Sequence, residues 1–143
     1  MNMLIKFKKI HPDAKIPRYA YRGDAGMDLY IPEDYIIKVG ERRSIPLGIA
    51  IEIPEGYVGL LSDKSGLSHK HGLKSYGGVI DSGYRGEIHV GIMNLSDTDY
   101  EFKKGEKIIQ ILILPVVQAE VMEVDELDQS DRGEGAFGSS GVC

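Results

Sequence analysis

Lys107-Ile108-Ile109-Gln110-Ile111-Leu112-Ile113-Leu114 is the most hydrophobic run in this chain. It is short and dominated by Ile and Leu, so it predicts a core strand. Working outward from it, further short apolar runs alternate with Gly, Pro and Asp. Strands are expected over Leu4 to Ile10, Tyr35 to Val39, Arg43 to Ile53 (with Pro46 and Pro54 as breaks), Tyr57 to Leu61, Glu87 to Asn94 and Ala119 to Val124. Ser65 to His71 reads as a short helical turn, and no long window has helical periodicity with caps. Many short strands joined by Gly/Pro turns give an all-β chain, a jelly-roll-like sandwich or barrel. No solenoid-type repeat is present.

After Glu126 the composition changes. Asp128-Gln129-Ser130-Asp131 is polar, and the following stretch is rich in glycine, with Ala136 and Phe137 as almost its only apolar content. The reading is therefore a β-rich core over 1–127 and a flexible arm over 128–143, which the family resemblance given below implies closes over an active site. A lone Phe137 in such an arm either docks on something or is an isolated exposed apolar residue.

The 143 residues suit one domain, and a 42% hydrophobic composition fills its core. A formal net charge of -5 argues against broad binding to nucleic acid or membrane surfaces. An anionic substrate would then need local cations or a metal ion. The single cysteine, Cys143, cannot form an internal disulfide, which is compatible with a reducing compartment. Met1 to Lys9 is too short in its apolar part, and too broken by lysines, for a signal peptide. No segment has the length of a membrane span. A cytoplasmic location is expected, or host cytoplasm or nucleus for a viral chain. Asn94-Leu95-Ser96 matches the glycosylation triplet, by chance on this reading.

Gly78-Val79-Ile80-Asp81-Ser82-Gly83-Tyr84-Arg85-Gly86-Glu87-Ile88 carries the clearest chemistry. Apolar residues lead into an acid, and the whole segment reads as a β-hairpin with Asp81 where its first strand ends. A strand end is a rigid mount for a catalytic carboxylate. Asp81-Ser82-Gly83 is equally ordinary turn chemistry. Lys64-Ser65-Gly66 offers a cation, a hydroxyl and a glycine at a strand end, suited to phosphate and equally to a solvated turn. Gly133-x-Gly135-x-x-Gly138 matches the dinucleotide fingerprint, but too little chain follows for its helix and acid. Its exposed N–H groups, with Arg132, Ser139 and Ser140, would suit phosphate oxygens. His69 and His71 lack the further ligands of a zinc site and read as surface histidines.

Ala25-Gly26-Met27-Asp28-Leu29-Tyr30, Lys64-Ser65-Gly66-Leu67, the Gly78 to Ile88 segment, Gly105-Glu106-Lys107-Ile108-Ile109-Gln110 and Arg132 to Gly141 follow in that order. Together they resemble the five motifs of the trimeric dUTP pyrophosphatase (dUTPase) family over nearly the whole chain. The resemblance implies Mg²⁺-assisted attack of water on the α-phosphorus of dUTP, giving dUMP and pyrophosphate. It also implies a homotrimer with shared active sites. On that pattern Asp81 positions the water and contacts the sugar 3′-hydroxyl, and Tyr84 packs under deoxyribose. Lys64, Ser65 and Gly66 hold α- and β-phosphates, and Gln110 contacts phosphate or water. Asp28 meets Mg²⁺ through water. Arg132, Ser139 and Ser140, with Gly138, grip the γ-phosphate, while Phe137 stacks over uracil. The backbone of Leu73 to Val79, a further expected hairpin, reads the base together with Ile80, so Gly78, Val79 and Ile80 count among the substrate contacts. Tyr76 stands where glycine is common, Lys64 where arginine is typical, and Asp63 where proline is usual, adding negative charge beside the phosphates.

Two other readings compete with this one. A dCTP deaminase resembles this family in fold but needs an extra acid–base glutamate with Ser and Arg neighbours, a set not seen here. A non-catalytic nucleotide-binding regulator on the same scaffold is disfavoured by the intact Asp81, Tyr84 and C-terminal motif.

Overall fold

The computed structural model describes residues 3–143. Met1 and Asn2, the start of the N-terminal stretch read above, lie outside the described residues. The chain is all-β apart from one short helix. In order it forms β1 (Lys6–Lys9), β2 (Gly26–Tyr30), β3 (Tyr35–Ile37), β4 (Arg42–Glu52), β5 (Tyr57–Ser62), α1 (Ser65–His71), β6 (Leu73–Tyr76), β7 (Val79–Ile80), β8 (Glu87–Asn94), β9 (Tyr100–Phe102) and β10 (Lys107–Pro115). One four-stranded sheet has the order β1-β4-β8-β6, a second has β2-β10-β5-β7, and β3 pairs with β9 as a ribbon. Every pairing is antiparallel.

The two sheets share one core, which makes the molecule a jelly-roll-like sandwich. Met27, Leu29, Leu61, Ile109 and Ile111 of one sheet and Ile45, Leu47, Ile88, Val90 and Ile92 of the other belong to the same buried cluster. Strict alternation does this in β8, where Ile88, Val90 and Ile92 point inward and Glu87, His89, Gly91 and Met93 do not. Each fully buried Ile or Leu is worth roughly 1.5–3 kcal/mol. The Lys107–Leu114 run is the core strand expected. It lies between β2 and β5.

Several expectations are corrected. Pro46 does not break its strand. β4 runs through it, and the register with β8 shifts between Pro46 and Ala50. A bulge tolerates a residue that cannot donate to the ladder. Gly48 within the bulge has φ 69°. Its N–H donates to Glu87 Oε2 at 2.9 Å, and its carbonyl accepts from the N–H groups of Ile10 and His11. The strand expected over Leu4 to Ile10 contracts to Lys6–Lys9. No strand forms over Ala119 to Val124, and Val117, Val121 and Met122 are exposed. β10 ends at Pro115, and no strand or helix follows it. Beyond the Val116 N–H, which donates to the Gly56 carbonyl at 2.9 Å, residues 117–127 have no backbone ladder to join.

Neither expected hairpin exists. β7 pairs with β5, whereas β6 and β8 pair with each other in the opposite sheet. The chain therefore crosses between sheets twice, once before and once after β7. The first crossing runs through Gly77 and Gly78, at φ 70° and 111°, where a side chain would be strained. Gly78 also sits against Leu61, whose N–H donates to its carbonyl at 2.8 Å.

Asn94 is wholly buried at the end of β8. Its Nδ2 donates to the carbonyls of Ile37 and Thr98, and its Oδ1 accepts from the N–H and Oγ of Ser96. A side chain with both ends used inside the fold is closed to glycosylation, which agrees with a chance match at Asn94-Leu95-Ser96.

Candidate active site

The first group of site residues lies at one end of the β2-β10-β5 sheet. Gln110 pairs with Asp28 on one side and Ser62 on the other. Lys64 follows β5 directly, at the start of α1. Asp28 is 3% exposed, and its carboxylate takes two ammonium groups. Lys64 Nζ contacts Oδ1, and Lys107 Nζ lies 2.6 Å from Oδ2. Burial alone would raise the Asp28 carboxyl, but the hydrogen bonds from Lys107 and Lys64 outweigh it and hold it below the usual carboxylate range. Gln110 Nε2 donates to the carbonyl of Asp63 at 2.9 Å. Its side chain fills space left by Gly26, where an added Cβ would lie 2.5 Å from Oε1. Ser65 and Gly66 are exposed beside Lys64.

Asp63 does not add free negative charge here, contrary to expectation. Its Oδ1 accepts the Ser75 N–H at 2.9 Å, and Lys74 Nζ is 2.6 Å from Oδ2. The carboxylate thus ties the end of β5 to β6. Burial works against its ionisation, but the Lys74 and Ser75 hydrogen bonds prevail and lower its pKa.

The second group surrounds β7. A cavity of about 210 Å³ is lined by Leu61, Gly78, Ile80, Asp81, Tyr84 and His89, among others. Ile80 is buried in the core, so only its backbone faces a ligand, while Val79 is exposed. Asp81 follows β7 at the mouth of the cavity and is exposed. Its carbonyl accepts the Tyr84 N–H at 3.1 Å, the turn that its sequence suggested. Asp81 also lines a larger neighbouring cavity of about 570 Å³ with Glu55, Tyr57, Ser82, Val116 and Gln118. The Tyr84 hydroxyl donates to the Glu87 carbonyl at 2.8 Å, and its ring lies against Gly86, where a Cβ would sit 2.5 Å from the hydroxyl. The ring is a fixed floor, held by a hydrogen bond and by the missing side chain. Tyr76 is not among the cavity's lining residues. Its ring lies over Gly91 of β8 instead, so it leaves this cavity free.

The third group, Arg132, Phe137, Gly138, Ser139 and Ser140, is exposed, and none of its hydrogen bonds reaches the other two groups. Arg132 Nε donates to the Gly135 carbonyl, a contact within the arm itself. Phe137 is fully exposed, with φ 48°.

A single chain does not bring these groups together. Val79 pairs with Leu60 and Ile80 with Gly59, so Asp81 falls beside Val58. Lys64 lies beyond the other end of β5, six positions further on, roughly 15–20 Å away at the rise of a strand.

The chain matches the family model described as dUTPase over residues 12–141. It belongs to the dUTPase family. A relative from Nautilia profundicola, named deoxyuridine 5'-triphosphate nucleotidohydrolase, is 49% identical over 97% of this chain and 99% of its own. One of the same name from Clostridium tetani is 43% identical over 96% of each. Among solved dUTPase structures, that of a point mutant from Staphylococcus bacteriophage 80alpha with dUpNHpp has a TM-score of 0.94 and 32% identity, over 99% of this chain and 100% of its own. That of a point mutant from phage phi11 of S. aureus, with a TM-score of 0.81 and 29% identity over 87% of this chain and 98% of its own, reveals the coordination of a structural Mg(II) ion.

Among the described residues of this dUTPase, no three His, Cys, Asp or Glu side chains gather as a metal site. Asp28 is a lone carboxylate with both oxygens on lysines. That donor set does not fit direct Mg²⁺ ligation, which calls for open oxygen ligands. Among the described residues no helix is long and apolar enough to cross a membrane.

Lys107 is the residue of this site that reading the sequence missed. It stands three positions before Gln110, and in a regular strand the two would face opposite sides. The register shift between Lys107 and Ile109 turns both toward Asp28. No sequence signal marks that bulge.

Proposed function

We propose that this chain hydrolyses dUTP to dUMP and pyrophosphate, and that it does so as a homotrimer whose active sites are shared between subunits. The observation that carries the reading is the cavity bounded by Asp81 and Tyr84 in a chain of the dUTPase family. Its volume and its backbone-rich wall suit a pyrimidine deoxynucleoside.

Asp81 orients a water molecule and takes its proton as the oxygen attacks the α-phosphorus. The bond from that phosphorus to the bridging oxygen of the β-phosphate breaks, and pyrophosphate leaves with the electron pair. Tyr84 lies under the sugar and clashes with a 2′-hydroxyl, which excludes UTP. Uracil meets the backbone of Gly78, Val79 and Ile80. Lys64, Ser65 and Gly66 receive α- and β-phosphates, with Gln110 beside them. Arg132, Gly138, Ser139 and Ser140 hold the γ-phosphate, and Phe137 covers the base. When bound with the triphosphate, Mg²⁺ would offset its charge, and Asp28 would meet the ion only through water.

Sharing between subunits is supported by the separation of the three groups on one chain. Asp81 and Lys64 cannot reach one triphosphate across the length of β5. The arm over 128–143 has nothing of its own to cover, and a neighbour's site would give Phe137 and Arg132 their partners. A soluble, cytoplasmic enzyme of nucleotide metabolism fits this activity.

The test is incubation with dUTP and Mg²⁺, followed by separation of products. dUMP and pyrophosphate are expected, with UTP nearly untouched. Release of ammonia with the triphosphate intact would instead identify a deaminase, and absence of any product would leave only a nucleotide binder.

A further inference from the structure

Asp28 carries two lysines where one would neutralise it. It is almost wholly buried, on a strand whose five residues are all buried. Its own N–H donates to the Arg18 carbonyl at 2.9 Å, and both carboxylate oxygens are engaged by ammonium groups. The two lysines differ in their surroundings. Lys64, its side chain 27% exposed, stands at the start of α1, directly before the exposed Ser65 and Gly66. Lys107 is the first residue of β10, in register with Tyr30, and is brought to Asp28 only by the bulge. If Lys64 is to meet a phosphate, it has to leave Asp28. A buried carboxylate stripped of its counter-charge is costly, and more so beside an arriving triphosphate.

We propose that Lys107 is a positioning residue that keeps Asp28 neutralised, so that Lys64 is free to exchange the carboxylate for a substrate phosphate. This rests on Lys64 as a phosphate contact, the reading given above. Lys107 itself touches no substrate. With Lys107 in place, detaching Lys64 leaves Asp28 still paired at Oδ2. Without it, Lys64 is the sole counter-ion of a buried anion and stays there. The loss falls on binding, because the exchange happens as the triphosphate enters.

The experiment measures dUpNHpp affinity, together with kcat and KM for dUTP, in six proteins: wild type, Lys107→Met, Lys107→Arg, Asp28→Asn, the double variant Asp28→Asn/Lys107→Met, and Lys64→Ala. Lys107→Met should weaken dUpNHpp binding and raise KM by about tenfold or more, with kcat within about threefold. Lys107→Arg should restore both, since it keeps a cation at Oδ2. Asp28→Asn leaves no anion to compensate, so adding Lys107→Met to it should change affinity by less than about threefold. If Lys107→Met weakens binding in the Asp28→Asn background as much as it does in wild type, Lys107 binds phosphate directly, and the proposal falls. Unchanged binding in Lys107→Met also overturns it. If Lys107→Met fails to fold while the double variant folds, Lys107→Gln takes its place. Should that fail too, Lys107 serves folding alone and the proposal is wrong. Lys64→Ala separates the two layers. If it binds dUpNHpp as well as wild type, the phosphate role of Lys64 is at fault. If it weakens binding while Lys107→Met does not, only the role of Lys107 is.

Discussion

Asp81 and Lys64 stand at opposite ends of β5. The pairing of Ile80 with Gly59 carries Asp81 past Val58, while Lys64 emerges beyond Ser62 at the start of α1. No rotamer of either side chain spans that length. On the function proposed above, a site using both draws them from different copies of the chain.

That separation predicts complementation. Truncation of 128–143 removes the arm but no strand, so folding and assembly should survive, and activity should collapse. Full-length Asp81→Asn should also be nearly inactive. Unfolded and refolded together, the two should regain activity well above either parent, since some mixed assemblies combine an intact Asp81 with an intact arm. No recovery, in a sample shown by mass to contain mixed trimers, would mean that each chain completes its own site.

Asp81→Asn keeps the shape of the turn and removes the base. Turnover should fall at least ~10²-fold, as for loss of a general base, with substrate binding largely kept. Single-turnover kinetics and dUpNHpp titration measure the two separately. A variant with most of its turnover would reduce Asp81 to a turn residue.

Gly86→Ala tests the sugar floor without touching Tyr84. The new Cβ would lie 2.5 Å from the Tyr84 hydroxyl, the far end of the side chain, so the ring shifts and the fold survives. The preference for dUTP over UTP should drop, and Tyr84→Ala should drop it further. An unchanged ratio of the two kcat/KM values in Gly86→Ala would show that the ring's position does not set sugar selection.

Asp63 contributes to stability in a pH-dependent way. Its folded pKa is lowered, so its contribution is present above the ordinary carboxylate value near 3.8 and is lost as pH falls through the folded value. Asp63→Asn should cost about 1 kcal/mol at neutral pH, the usual net worth of such hydrogen bonds. The gap between variant and wild type should narrow as pH drops below about 4. Urea titrations across pH measure it. A gap that is constant with pH would place the effect in shape, not charge.

Much of the sandwich was legible because strand formation is local. The alternation of Ile88, Val90 and Ile92, and the Ile/Leu content of Lys107 to Leu114, mark β8 and β10 without reference to the rest of the chain. The short helical turn read over Ser65 to His71 is the α1 helix, which the structure ends on Gly72 at φ 63°. The hairpins were not legible, because a turn between two strands says only that the chain reverses, not which sheet receives each strand. Gly77 and Gly78 read the same whether they close a hairpin or carry the chain across the core. Short strands with few apolar residues, such as β9 over Tyr100–Phe102, were overlooked for lack of pattern.

The make-up of the proposed site can be read along the chain. Asp28, Lys64, Asp81, Tyr84, Gln110 and the Arg132 to Ser140 stretch are local motifs, and each side chain brings its chemistry wherever it is placed. What those groups touch comes from the fold. The bulge at Lys107 to Ile109 gives Asp28 its second lysine. Lys74 and Ser75 take up the charge of Asp63, and Gly91 takes Tyr76 away from the Asp81 cavity. The reason is register. A one-residue shift in a strand reverses which face a side chain occupies, and register is set by contacts among residues tens of positions apart, where no local pattern records it.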